Sequence, residues 1–143
     1  MPLRQVMELA ADRDLIALQY AGGFREVLEE GIPALELALG RGLGLEEAII
    51  ACHLGLMALH ADTLIVRKRG MVEAEEARRR ARQVLDSGWP ETNAGREALA
   101  DLDRWLRAEG HQRNPGSTAD LVTACLFVAV RGGIIQLPLR IPW

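Results

Sequence analysis

An all-α fold, an orthogonal bundle of about six to eight helices around two central apolar ones, is what this sequence predicts. Three observations carry it. Apolar residues make up 49% of the chain while aromatics supply only 4%, so the core is aliphatic, rich in the strong helix formers Ala and Leu. Apolar positions recur three and four apart, the helical period. Extended β-branched runs, the mark of strands, are missing.

Leu3, Val6, Met7 and Ala10 set out a first helix. A second begins near Asp12, with Ile16, Gln19, Tyr20, Phe24, Val27 and Leu28 on one side and Gly22-Gly23 interrupting it. Gly31-Ile32-Pro33 predicts its end, and Pro33 opens a short helix to about Leu39. Gly40, Gly42 and Gly44 form a flexible connector. Leu45 to Leu59 is apolar on nearly every side, the pattern of a central core helix. Val72 to Leu85 is polar and Arg-rich, a surface helix. After the Ser87-Gly88-Trp89-Pro90 loop, Ala94 to Leu106 is amphipathic, with Leu99, Leu102, Trp105 and Leu106 in its apolar stripe. Gly110 to Gly116 is a polar connector. The second apolar helix runs from Ser117 to Val130, ended by Gly132-Gly133. The tail Ile134–Trp143 predicts an extended segment laid on the surface.

The 143 residues fit one domain. A net charge of −3 supplies no basic field for nucleic acid. No apolar stretch is long enough to span a bilayer, and the opening residues lack a charged segment followed by an apolar one, so a soluble cytoplasmic protein is expected. The two cysteines, Cys52 and Cys125, sit in apolar runs and read as reduced, buried thiols.

Two segments carry candidate chemistry. In Asn114-Pro115-Gly116-Ser117-Thr118-Ala119-Asp120 a tight turn enters an apolar helix, whose first turn offers free N–H groups and the positive end of a dipole. Phosphate oxygens fit there, with hydroxyls from Ser117 and Thr118, and Asp120 could hold Mg²⁺ bridging to them. The structural alternative makes Ser117 an N-cap with Asp120 completing a variant capping box. In Asp62-Thr63-Leu64-Ile65-Val66-Arg67-Lys68-Arg69-Gly70 a carboxylate at the end of a buried helix precedes three cations, a set that can hold a polyphosphate with Mg²⁺. Its alternative is Asp62 as a cap and the cations solvated. His53 and His60, seven apart, share a helix face, but the ligand spacing of a zinc site is missing. A polar role for His53 in a cleft fits better. Arg78, Arg79, Arg80 and Arg82 face Glu75 and Glu76 at helical spacing and predict a charge-balanced surface. Neither serine, Ser87 or Ser117, occupies a nucleophile elbow.

Taken together, Asp62-Thr-Leu-Ile-x-Arg67-Lys68-x-Gly70 and, some fifty residues on, Asn114-Pro-Gly-Ser-Thr-Ala-Asp120-Leu121 resemble the ATP:dephospho-CoA triphosphoribosyl transferase family, with the His53 helix and Asp14-Leu-Ile-Ala-x-Gln-Tyr20 similarly placed. The resemblance implies an all-α transferase in which a ribose hydroxyl of dephospho-CoA attacks the anomeric carbon of ATP and adenine leaves. It implies catalytic roles for Asp62, Asp120 and His53, phosphate binding by Arg67, Lys68, Gly116, Ser117 and Thr118, and Mg²⁺ on Asp62 and Asp120. It covers the family's C-terminal half; the Lys-Pro-Gly-Asn segment of the other half has no counterpart here. A protein partner supplying that half, or a homo-oligomer, is therefore expected, with the isolated chain inactive. The other reading open at this point is a non-catalytic helical protein that binds a nucleotide or a protein partner.

Overall fold

Residues 1–139 are described by the computed structural model. Eight α-helices order them: α1 Leu3–Glu8, α2 Leu15–Gly22, α3 Ile32–Gly40, α4 Leu45–Leu59, α5 Thr63–Arg69, α6 Met71–Asp86, α7 Asn93–His111 and α8 Gly116–Arg131. No strand occurs among the described residues. The protein is all-α, as its composition predicts. No single helix among the described residues is long and apolar enough to cross a membrane.

The core has two parts, and α4 belongs to both. Ala48, Cys52 and Leu56 pack with Leu15, Val27, Leu35, Leu121, Cys125 and Ala129. Leu54, Met57 and Ala58 pack on the opposite side with Ile65, Ala74, Ala77, Ala81, Val84 and Leu102. A helix buried on two sides has no polar face to show, which explains the unbroken apolar run of Leu45–Leu59.

α8 lies beside α4, as expected, and differs from it in showing one face to solvent. Asp120, Thr123, Phe127 and Arg131 form an exposed stripe at intervals of three and four residues. Phe127 is 70% exposed. The hydrophobic run there reflects an apolar residue left on the solvent side. The end of α8 matches the glycine pair: the Gly133 and Ile134 N–H groups turn back to the carbonyls of Val130 and Ala129.

A correction concerns residues 27–40. No break follows Gly31. Val27–Gly31 form one π turn that runs directly into α3. The Val27 carbonyl accepts the Ile32 N–H of the wide turn, and the thiols of Cys125 and Cys52 donate in addition to the Val27 and Gly31 carbonyls at 3.8 and 3.4 Å. Pro33 lies in the first turn of α3, directly after the wide π turn. Gly31 is required by space: a Cβ there would stand 2.3 Å from the Cys125 sulfur. Both cysteines are free and buried, as expected.

The Arg-rich face of α6 is charge-balanced. Glu76 accepts from Arg79 and Arg80, and Glu75 pairs with Arg78. Arg78 and Arg82 also donate to the Ala58 carbonyl near the end of α4, meeting an acceptor that the last turn of a helix leaves open. The tail leaves α8 with Ile135 buried in the core; residues 140–143, including Trp143, lie outside the described region.

Candidate functional site

Three helix starts meet. Asp14 caps α2 by accepting from the Ile16 and Ala17 N–H groups at 2.8 and 3.0 Å. Asp62 caps α5 in the same way: one carboxylate oxygen accepts from the Leu64 and Ile65 N–H groups at 2.9 and 3.1 Å. Its other oxygen accepts from both the N–H and the hydroxyl of Thr118, each at 2.7 Å, in the first turn of α8. The Thr63 hydroxyl lies 2.9 Å from that of Ser117 and accepts from the Leu15 N–H at 3.1 Å. Asp62, Thr63, Ser117 and Thr118 thus join α2, α5 and α8 into one unit. Gly116 permits the contact, since a Cβ there would stand 2.5 Å from a Leu64 methyl.

This geometry redefines several predicted residues. Asp62 is 1% exposed, and its two oxygens hold four protein donors, two each. No lone pair remains for a metal ion. The first-turn N–H groups of α8 are largely used as well: Gly116 donates to the Asn114 carbonyl at 2.9 Å, Thr118 to Asp62 and Ala119 to the Pro115 carbonyl at 3.0 Å. The expected phosphate cradle on Gly116, Ser117 and Thr118 is corrected to a structural joint. Neither the Ser117 cap nor its box with Asp120 forms; Pro115 precedes the helix and no side chain caps it. Asp120 is exposed on the outer side of the same turn.

The cations after Asp62 are a different matter. Arg69 is held by Glu73 and Glu109. Arg67 and Lys68 are exposed and make no ion pair or side-chain hydrogen bond among the described residues, in a protein whose other arginines are mostly paired. Arg67 lines a cleft of about 320 Å³ between the α1–α2 turn and α5, together with Ala10, Arg13, Asp14, Thr63 and Val66. Arg13 and Thr63 were not singled out as site residues from the sequence. The signal that could have found them is the pair of Asp helix caps, each followed closely by Leu-Ile, in Asp14-Leu15-Ile16 and Asp62-Thr63-Leu64-Ile65.

His53 stands in another place. It lines a pocket of about 320 Å³ between α4 and α7. Burial pushes its imidazole pKa below the ordinary value, and the Asp62 carboxylate pulls it up by less, so the ring is neutral at pH 7. His60, its supposed companion, bonds Glu30 instead, 2.5 Å away.

A family model described as ATP:dephospho-CoA triphosphoribosyl transferase matches residues 1–136. The chain belongs to that family. It is 35% identical over 106 residues to a probable 2-(5''-triphosphoribosyl)-3'-dephosphocoenzyme-A synthase of Pseudomonas syringae pv. tomato, covering 74% of this chain and 36% of the relative. The protein of the same name from Pseudomonas aeruginosa strain UCBPP-PA14 is 36% identical over 115 residues, 78% of this chain and 39% of the relative. That of Pseudomonas syringae pv. syringae is 31% identical over 134 residues, 87% and 45%. The chain therefore spans less than half the length of these relatives. No solved structure matches it.

For a triphosphoribosyl transferase, Mg²⁺ beside the triphosphate is the natural expectation. The residues here do not fit a protein-held ion. Asp62 is filled, and no group of three His, Cys, Asp or Glu side chains converges to hold a metal among the described residues. The expected Asp62–Asp120 metal pair is corrected on that ground.

Proposed function

We propose that this chain holds the triphosphate of ATP for transfer of its triphosphoribosyl group to dephospho-CoA, in a site completed by the part of the family fold that this chain does not span. The observation that carries the reading is Arg67, an unpartnered cation on the cleft lined by Arg13 and Thr63, with the exposed Lys68 next to it in sequence. Among the described residues, every other arginine except the exposed Arg131 donates to a carboxylate or a carbonyl. A polyphosphate supplies the missing anion through charge-assisted hydrogen bonds. The joint beneath the cleft fixes the start of α5, which carries both cations, relative to α8.

The family reaction displaces adenine from the anomeric carbon of ATP with a ribose hydroxyl of dephospho-CoA. The chain's own part is to fix one substrate by its charged end, which lowers the entropy cost of bringing the two together. Asp120 is the exposed carboxylate nearest the joint along the sequence and is our candidate for a polar role toward the acceptor. His53 serves at the nucleobase rather than the phosphates. A second polypeptide supplying the remaining fold fits the surface: α1 buries no residue, and Leu3, Val6, Leu9, Leu28 and Phe127 are 46–70% exposed, more apolar surface than an isolated monomer needs. We place the reaction in the cytoplasm.

Calorimetry with tripolyphosphate and ATP tests the cleft. Both should bind, and Arg67→Ala and Lys68→Ala should each weaken binding by about 1–3 kcal/mol, the value of a charged hydrogen bond. The absence of binding at millimolar concentration would overturn the reading. Adenine release from ATP and dephospho-CoA should require a second polypeptide; release by the isolated chain would show that the half is sufficient.

A further inference from the structure

The pocket beside His53 has its own chemistry. Ile49, Ile50 and Met57 of α4 line it on one side, Leu99, Leu102 and Leu106 of α7 on the other. Two rows of aliphatic side chains from neighbouring helices bound a slot with two apolar faces. Its polar groups come from His53 and from the segment beyond the break in α7 at Ala108–Gly110, which brings His111 and Asn114. The charged pair Asp103–Arg107, also on the lining, is closed on itself at 2.8 and 2.9 Å, so the slot presents no free cation to a phosphate.

The loop that carries Asn114 is firmly set. Arg113 is buried, stacks on Trp105 with its guanidinium 4.4 Å from the ring centre, and donates to Glu73 at 2.8 Å and the Trp105 carbonyl at 3.2 Å. Glu109 and His111 adopt left-handed backbone, φ 53° and 60°, and Glu109 is held there by Arg69 and Arg113. Strain of this kind persists where the surroundings enforce it, and it gathers at binding sites. The Asn114 N–H donates to the His111 carbonyl, and its own carbonyl accepts from Gly116, so the backbone is satisfied. The Asn114 amide and the His53 ring make no hydrogen bond among the described residues.

We infer that this slot binds a purine base, its faces between α4 and α7 and its edge on Asn114 and His53. A primary amide offers one donor and one acceptor side by side, the complement of adenine's N6–H and N7. A neutral imidazole adds one further donor or acceptor. The aliphatic walls suit a flat ring that is apolar on its faces and polar on its rim. The choice of adenine among purines rests on the proposed function, in which both substrates are adenine nucleotides.

The test is amide and side-chain NMR on the full chain, titrated separately with adenosine, tripolyphosphate and pantetheine. Adenosine should shift Ile49, His53, Leu99 and Asn114, and tripolyphosphate should shift Arg67 and Lys68. Asn114→Asp, which keeps the size but loses the donor, and His53→Leu should each weaken adenosine binding about tenfold. Both should leave the melting temperature and tripolyphosphate binding unchanged. Adenosine failing to shift slot residues at millimolar concentration, or pantetheine shifting them while adenosine does not, would overturn the inference. Tripolyphosphate binding without adenosine binding sinks the slot and leaves the cleft. The reverse sinks the cleft and leaves the slot.

Discussion

The joint at Asp62 and the slot at His53 both draw on the segment 111–118, yet they treat their polar groups in opposite ways. In the joint, every polar atom of Asp62 and Thr118 faces a protein partner a short distance away and is shut off from water. In the slot, Asn114 and His53 are left without partners on an aliphatic background. The residues that look most chemical in the sequence are the ones the fold has already satisfied. A buried carboxylate must find donors or unfold its surroundings, so an Asp at a helix start is claimed by the nearest N–H groups before any ligand arrives. Groups available to a ligand are recognised by the absence of such partners, and that property belongs to the structure.

The sharpest way to break this contrast is Asp62→Ala. It removes four accepted bonds and strands buried donors in α5 and α8, so we expect a loss of about 3–5 kcal/mol, read as a large drop in melting temperature without any ligand present. Asp120→Ala, on the exposed side of the same turn, should change stability by less than about 0.5 kcal/mol. If the two variants melted alike, Asp62 would not be a joint.

Next in size is Gly116→Ala. Its Cβ would overlap a Leu64 methyl at 2.5 Å, and Leu64 is a flexible side chain, so about 1–3 kcal/mol is expected from the forced rearrangement. The change should also loosen the register of α5 against α8 and weaken tripolyphosphate binding at Arg67, although Gly116 touches no cation. Unchanged affinity with lowered stability would show that the cleft does not depend on the joint.

These same contacts mark what the sequence could and could not reveal. The bounds Leu45 and Leu59 of α4 were legible because Gly44 precedes the apolar run and Asp62 starts the next helix. The Arg-rich face of α6 was legible from its three- and four-residue spacing to Glu75 and Glu76. The bond from Asp62 to Thr118 crosses 56 positions and leaves no local pattern. The π turn was hidden because Gly-Ile-Pro reads as a stop as long as the packing of Gly31 against the distant Cys125 is out of view. The slot was hidden for the opposite reason: Ile49, Ile50, His53 and Met57 form one stripe of α4 that looks like core, and only the set of α7 leaves it partly open.

An acid titration gives a smaller and more graded effect. The guanidiniums of Arg69 and Arg113 hold the Glu73 carboxyl down to about 2, and those of Arg79 and Arg80 do the same for Glu76. Carboxyls with depressed native values bind fewer protons folded than unfolded, so their contribution is complete above the unfolded value of about 4.3 and fades as pH falls toward 2. His53 adds a separate slope at higher pH. Its native pKa lies below the ordinary value near 6.5, so protonation favours the unfolded chain and stability declines as pH drops through that region. In Glu73→Gln the acid limb should flatten while the His53 limb remains; loss of both together would mean that the α6–α7 contacts and α4 unfold as one unit at mild acidity.

The smallest expected effect is the most telling about function. Arg67→Ala and Lys68→Ala remove side chains that contact no carboxylate, so in the absence of ligand neither should move stability by more than about 1 kcal/mol. Their remaining structural service is to place positive charge in the last turn of α5, worth about 0.3–1 kcal/mol at low salt and less when screened. A melting temperature that falls with Arg67→Ala at low ionic strength and recovers in high salt would assign the cations to the helix dipole. A melting temperature indifferent to the substitution at every salt concentration, combined with lost stabilisation by tripolyphosphate, would leave no structural reason for an unpartnered Arg67 on the cleft. Thermal shifts measured with and without tripolyphosphate over a salt series separate the two, because ligand stabilisation adds to the melting curve only where binding occurs.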